Sequence, residues 1–141
     1  FKGDTINTPS LLCVEDQIDA LRWARKIGGL PALVTRSRGN LAVLERWAAA
    51  SSWVRFLADD PKARSNTSVC LKIADQAVDQ AKTAAGIASL LEKEGVAFDI
   101  GSYRDAPPGL RIWCGATVER ADLEALTPWL DWAFAEIAKK G

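Results

Sequence analysis

The 141 residues include no histidine, no methionine and only three cysteines, and each shortage removes a class of chemistry. Without histidine there is no Ser-His-Asp or Cys-His arrangement, and a typical zinc site loses its commonest nitrogen ligand. Cys13, Cys70 and Cys114 are widely spaced, odd in number and form no CxxC pair. That pattern predicts buried, reduced thiols in a cytoplasmic protein rather than a disulfide scaffold. No run of 18 apolar residues occurs, so no membrane span is expected, and the polar first residues hold no secretory signal core. Lysine plus arginine and aspartate plus glutamate stand at 18 each, and zero net charge argues against a nucleic acid or an anionic membrane as partner. A glycine-rich nucleotide loop is missing, and no pair of acids stands out as an acid–base dyad. The chain opens Phe1-Lys2-Gly3 rather than on methionine, which reads as the C-terminal part of a longer protein.

What is present is an ordinary globular composition, 48% apolar and 26% charged, at a length suited to one domain with a real core. Thr8-Pro9 is a helix-start signal, with Thr8 as cap and Pro9 in the first turn. Leu11, Val14, Ile18 and Leu21 then form one apolar stripe, closed by Gly28-Gly29. Residues 30–36 read as a connector. Asn40 caps a second helix whose stripe runs through Leu41, Leu44 and Ala48 to Val54 and Leu57, with Pro61 past its end. Alternation at Val69, Leu71 and Ile73 predicts a strand over 67–74. Asp75 starts an alanine-rich helix that Gly95 closes. Val96, Phe98 and Ile100 predict a second strand, and Leu110, Ile112 and Cys114 a third. A helix spans 119–139, with Leu123, Leu126, Leu130, Phe134 and Ile137 on one stripe and Pro128 as a kink or a restart. Lys139-Lys140-Gly141 is its solvated end. The order α-α-β-α-β-β-α predicts an α+β domain, a small mostly antiparallel sheet with helices packed on one face.

The chemistry gathers around 103–113, where Arg104 and Arg111 flank a Pro107-Pro108-Gly109 turn. Alternation puts Leu110 and Ile112 on one face of the strand and Arg111 and Trp113 on the other. Arg111 then either grips a carboxylate through two parallel hydrogen bonds or pairs with a local acid such as Asp99. Arg104 either binds a phosphate or carboxylate or bridges to Asp105 or Asp99. Asn7 and Thr8, at a helix start, either hold phosphate oxygens or simply cap the helix. Arg64-Ser65-Asn66-Thr67 reads as a polar entry to a strand, and the six tryptophans as core or interface side chains.

These residues resemble the phosphoserine aminotransferase family, among the class V pyridoxal-phosphate enzymes. The likeness runs through nearly the whole chain and is carried by Gly3-Asp4-Thr5-Ile6-Asn7-Thr8-Pro9-Ser10, by Arg64-Ser65-Asn66-Thr67-Ser68-Val69-Cys70, by 103–115, and by Pro128-Trp129-Leu130-Asp131-Trp132-Ala133-Phe134. The resemblance implies the C-terminal small domain of a cytoplasmic homodimeric enzyme of serine biosynthesis. That enzyme moves an amino group between O-phosphoserine and 2-oxoglutarate, giving 3-phosphohydroxypyruvate and glutamate. Residues 1–30 would form the dimer-contact and interdomain region. The large domain, with the Schiff-base lysine that holds pyridoxal phosphate, would precede Phe1, so no catalytic residue is expected in this chain. The family match assigns Asn7 and Thr8 to the cofactor phosphate of the other subunit, Arg111 to the substrate carboxylate and Arg104 to the substrate phosphate. Family members that use a His-Arg pair for that phosphate differ here, where Tyr103 precedes Arg104. Two other readings stay open: a stand-alone α+β module binding an anionic metabolite or a protein, and another class V aminotransferase.

Overall fold

The computed structural model describes residues 5–139 as α1 (Leu11–Lys26), α2 (Gly29–Ala50), β1 (Val54–Phe56), a 3-10 turn (Pro61–Ala63), β2 (Ser68–Ile73), α3 (Gln80–Lys93), β3 (Gly109–Trp113) and α4 (Arg120–Ala138). Gly3 and Asp4 of the first motif, and Lys140 and Gly141 of the expected solvated end, lie outside the described residues. The chain divides into two compact units, 1–35 and 36–141, with the boundary inside α2.

In the first unit, Ser10 rather than Thr8 caps α1: its Oγ accepts from the Cys13 N–H at 3.5 Å. The cap must sit immediately before the first turn to reach the third free N–H, and Thr8 is two residues too early. Pro9 accordingly precedes the helix. Gly28 and Gly29, at φ 114° and 70°, make the turn that ends α1. The expected connector at 30–36 is helical instead. Pro31 falls in the first turn of α2, where a missing N–H costs no intrahelical bond.

In the second unit, α2 ends at Ala50, well before Leu57, where the apolar stripe ran out. Ser51 turns the chain by accepting the Trp53 N–H on its hydroxyl. Arg55 donates to the Ala48 and Ser51 carbonyls, which the helix end leaves open. Val54, which matched a helical spacing, therefore lies on a strand, and Leu57 falls just past its end. The sheet order is β1-β2-β3, antiparallel throughout. Val54, Phe56, Val69, Leu71, Ile73, Leu110 and Ile112 fill its inner face, all under 8% exposed. Helix α3 packs on β2 and β3, and α4 packs on α3. Ile87, Leu91 and Leu130 join Leu44 from α2 in the same core. One face of the sheet is thus covered by helices, as the alternation requires.

Four further departures have local causes. The strand expected over Val96, Phe98 and Ile100 does not form, because Asp99 stands at φ 53°, outside any extended conformation. Only a bridge between Gly101 and Leu110 remains. Helix α3 begins at Gln80, capped by Asp79, whereas Asp75 spends its carboxylate on the Ala77 N–H. Asn40 is not a cap but lies inside α2 and is 1% exposed, its amide donating to the carbonyls of Cys114, Gly115 and Val118. Pro128 neither ends nor restarts α4. It cannot donate to the Glu124 carbonyl, and the Thr127 hydroxyl does so at 3.2 Å.

Candidate functional site

The side of the sheet opposite the helices carries the polar residues of all three strands. Arg55 on β1, Ser68, Cys70 and Lys72 on β2, and Arg111 and Trp113 on β3 alternate with the buried set. Register places Arg55 beside Lys72, Cys70 beside Arg111, and Ser68 beside Trp113. Three cations on a face of three short strands make an electropositive surface. Their engagement differs. Arg55 closes the end of α2, and Lys72 pairs with Asp59 at 2.9 Å. The Arg111 Nη2 contacts the Asp99 carboxylate at 2.9 Å, with the arginine side chain 33% exposed and that of Asp99 90%.

Backbone geometry holds Arg111 where it is. Gly109 lets β3 approach β2: a Cβ there would lie 1.9 Å from the Leu71 carbonyl oxygen, which no side chain can tolerate. Beyond the strand, Gly115 leaves room for the Trp113 ring. Arg36 and Asn40 of α2 clasp the 114–119 loop, Arg36 through the Ala116 carbonyl and an ion pair to Glu119. The rim of the site is therefore fixed from below by core packing and from one end by buried hydrogen bonds.

Arg104 lies in the turn at 103–106, where the Ala106 N–H donates to the Tyr103 carbonyl at 2.9 Å. It is exposed, and among the described residues it makes neither of the bridges to Asp99 or Asp105 that its neighbourhood suggested. Asn7 and Thr8 are exposed in the segment before α1, each free of hydrogen bonds within the described residues. Arg64, at the polar entry to β2, is tied to the core side of the chain rather than left to solvent. It donates to the Ala58 and Asp59 carbonyls, approaches Glu45 at 3.5 Å and lies 4.2 Å above the Phe56 ring. Of the three thiols expected to be buried, only Cys114 is; Cys13 and Cys70 are exposed, Cys70 because alternation turns it to the outer face. Burial pushes the Cys114 thiol up to about 12, so it stays protonated and inert.

The tryptophans divide between core and surface. Trp53 stacks on Phe134 at 4.5 Å, and both Trp47 and Trp53 donate their indole N–H to Asp131. Trp113, Trp129 and Trp132 remain between 39% and 56% exposed.

Comparison with known proteins gives this surface a context. The chain is 52% identical over 134 residues to the phosphoserine aminotransferase of Methanosarcina barkeri strain Fusaro, covering 95% of this chain and 35% of that protein. The enzyme of the same name from Methanosarcina mazei matches to the same extent. The chain is a relative of the phosphoserine aminotransferases. It spans about a third of their length. The solved phosphoserine aminotransferase of Bacillus circulans subsp. alkalophilus has the same fold in its C-terminal part, with a TM-score of 0.79 at 20% identity over 92% of this chain and 34% of that one. No protein-family model matches the chain.

Against these relatives the site is partly legible in sequence. Alternation alone put Arg111 and Trp113 on the outer face. The exposed Lys72 and Arg55 on the same face follow from the same rule but carry no motif. The left-handed backbone at Asp99 has no signal beyond aspartate's tolerance of that conformation.

Proposed function

We propose that this chain is the small domain of a phosphoserine aminotransferase, and that its open sheet face receives the anionic ends of the substrate. The observation that carries the reading is the placement of Arg111, a strand guanidinium off the core on the outer face of β3; its pairing with Asp99 is the local ion pair that the sequence left open as the alternative. Arg111 takes the α-carboxylate of O-phosphoserine or glutamate. Arg104, exposed in the adjoining turn, takes the phosphate. Fixing both ends of a small dianion converts orientation into rate. The 52% relatives bear the same enzyme name over this stretch, which supports the substrate class.

Pyridoxal phosphate supplies the electron sink for the reaction when it is bound. An amide and a hydroxyl, neither hydrogen-bonded among the described residues, suit phosphate oxygens, so the donor set of Asn7 and Thr8 fits the phosphate end of that cofactor. In this reading they donate to the cofactor of the other subunit of a cytoplasmic homodimer. Residues 1–30 form the dimer-contact and interdomain region, which the exposure of Leu11, Leu12 and Leu21 supports.

The test is kcat/KM for O-phosphoserine and for glutamate in the full-length aminotransferase carrying this sequence. Arg111→Lys keeps the charge but loses the two-point fork, and it should weaken both substrates by about 1–3 kcal/mol in transition-state stabilisation. Arg104→Ala should damage O-phosphoserine by a similar amount, with a smaller loss for glutamate. Equal damage to both substrates by both variants would show that the two arginines do not divide carboxylate from phosphate.

A further inference from the structure

We infer that Asp99 is a built-in competitor for the anion site at Arg111, a carboxylate that an incoming one must displace; the inference rests on the reading of Arg111 as a carboxylate ligand. Three observations place Asp99 there. The Arg111 N–H donates to the Ile100 carbonyl at 2.8 Å, and Gly101 bridges to Leu110, so the backbone on the C-terminal side of Asp99 is pinned along the free edge of β3. Asp99 is the one non-glycine residue at positive φ among those described, at 53°. Such a conformation is disfavoured for any residue with a Cβ, and an observed outlier of this kind is grounds for a functional hypothesis. Its carboxylate then meets the Arg111 guanidinium while remaining 90% exposed itself.

The contact has the form of a placeholder rather than a structural tie. It uses one guanidinium nitrogen, Nη2, at 2.9 Å. Arginine offers five N–H donors in a planar fork, and a free carboxylate can take two of them in parallel. A single-point contact held in water yields to a two-point contact. The other cations on this face do not draw Asp99 away from Arg111, because Lys72 is paired with Asp59 and Arg55 with the end of α2. Asp99 thereby engages the Arg111 guanidinium, and it raises the concentration of ligand carboxylate needed to fill the site. The intrinsic dissociation constant is divided by the share of molecules in which Arg111 is free, so the apparent affinity falls by that share.

Two variants separate charge from backbone. Asp99→Asn removes the charge and keeps a residue that tolerates the left-handed conformation; Asp99→Gly keeps that conformation and removes the side chain. The measurement is NMR titration of the Arg111 Nε–Hε resonance in the 141-residue chain with 2-oxoglutarate, alongside thermal unfolding of each variant. The expected result is an affinity roughly two- to fivefold higher in both variants, the scale on which an exposed ion pair competes. Identical or weaker affinity in the two variants, with the Arg111 signal responding in all three proteins, overturns the inference and leaves the carboxylate reading of Arg111 standing. A resonance that responds in none of them removes that reading and this inference with it. A lower melting temperature in both variants together with unchanged affinity would make Asp99 a structural tie instead.

Discussion

Helices α1 and α3 have the same design and opposite fates. Each begins at a side chain that accepts an N–H three residues on, and each ends in a glycine turn. Each carries apolar residues at spacings of three and four. Yet Ile87 and Leu91 of α3 are fully buried, while no residue of α1 is, and Leu11 and Leu12 are 78% and 72% exposed. Amphipathic spacing therefore states that a helix needs a partner surface without saying whether the chain supplies it. For α3 the sheet supplies it; α1 presents its stripe to solvent, consistent with the proposed dimer-contact role.

The contrast can be broken most directly by truncating one leucine in each helix. Leu91→Ala in α3 should cost about 2–5 kcal/mol, the usual range for a cavity left in a packed core. Leu12→Ala in α1 should stay within about 0.5 kcal/mol in the isolated chain, because an exposed side chain loses little on truncation. Urea denaturation of both variants measures the difference. A large loss for Leu12→Ala would mean that α1 is covered in solution, and dependence of that loss on protein concentration would identify a second copy as the cover.

The thiols sharpen the comparison chemically. Cys13 of α1 is exposed and Cys114 is buried below the sheet. At mildly alkaline pH a maleimide should label Cys13 and Cys70 and leave Cys114 untouched until the chain unfolds. The Cys114 thiol is raised from its ordinary 9.0 to about 12 by desolvation. The folded chain thus holds a proton that the unfolded chain releases. Its contribution is complete below pH 9.0 and falls as pH rises from there toward about 12. Comparing wild type with Cys114→Ala across that interval should show the wild type losing its relative advantage. A constant difference would mean that the thiol titrates alike in both states.

Sequence patterns told most where one physical requirement dominated. Period-two alternation located β2 and β3 and turned Arg111 outward, since a half-buried strand permits no other arrangement. They told least where a side chain serves a distant partner. Asn40 looked like a cap because asparagine caps helices, but its amide serves the carbonyls of Cys114, Gly115 and Val118, far along the chain. Val54 and Leu57 continued a helical count, but Ser51 and Arg55 close the helix through hydrogen bonds that no hydrophobic pattern contains. At the candidate site, the arginines were readable from their strand and turn, whereas the Asp99 contact depends on one backbone angle.

The smallest expected effect concerns the two helix starts. Ser10 accepts the Cys13 N–H at 3.5 Å, and Asp79 accepts the Lys82 N–H at 3.0 Å. The Asp79 contact is the shorter and is made by a carboxylate at the positive end of the helix dipole. The Lys82 backbone N–H is the main cause that holds the Asp79 carboxyl below its ordinary 3.8, with the Lys82 side chain adding to it. A depressed acid stabilises the fold above its ordinary pKa, and that stabilisation disappears as pH falls through the folded value. Asp79→Ala should therefore lower the melting temperature slightly at neutral pH, and the gap to wild type should close well below pH 3.8. Ser10→Ala should leave the global transition where it is, because α1 buries nothing whose loss the transition would register. Its effect belongs in hydrogen exchange at the first turn of α1. If the two alanine variants shift the melting temperature equally, α1 unfolds with the core rather than ahead of it, and the contrast between the helices is one of exposure alone.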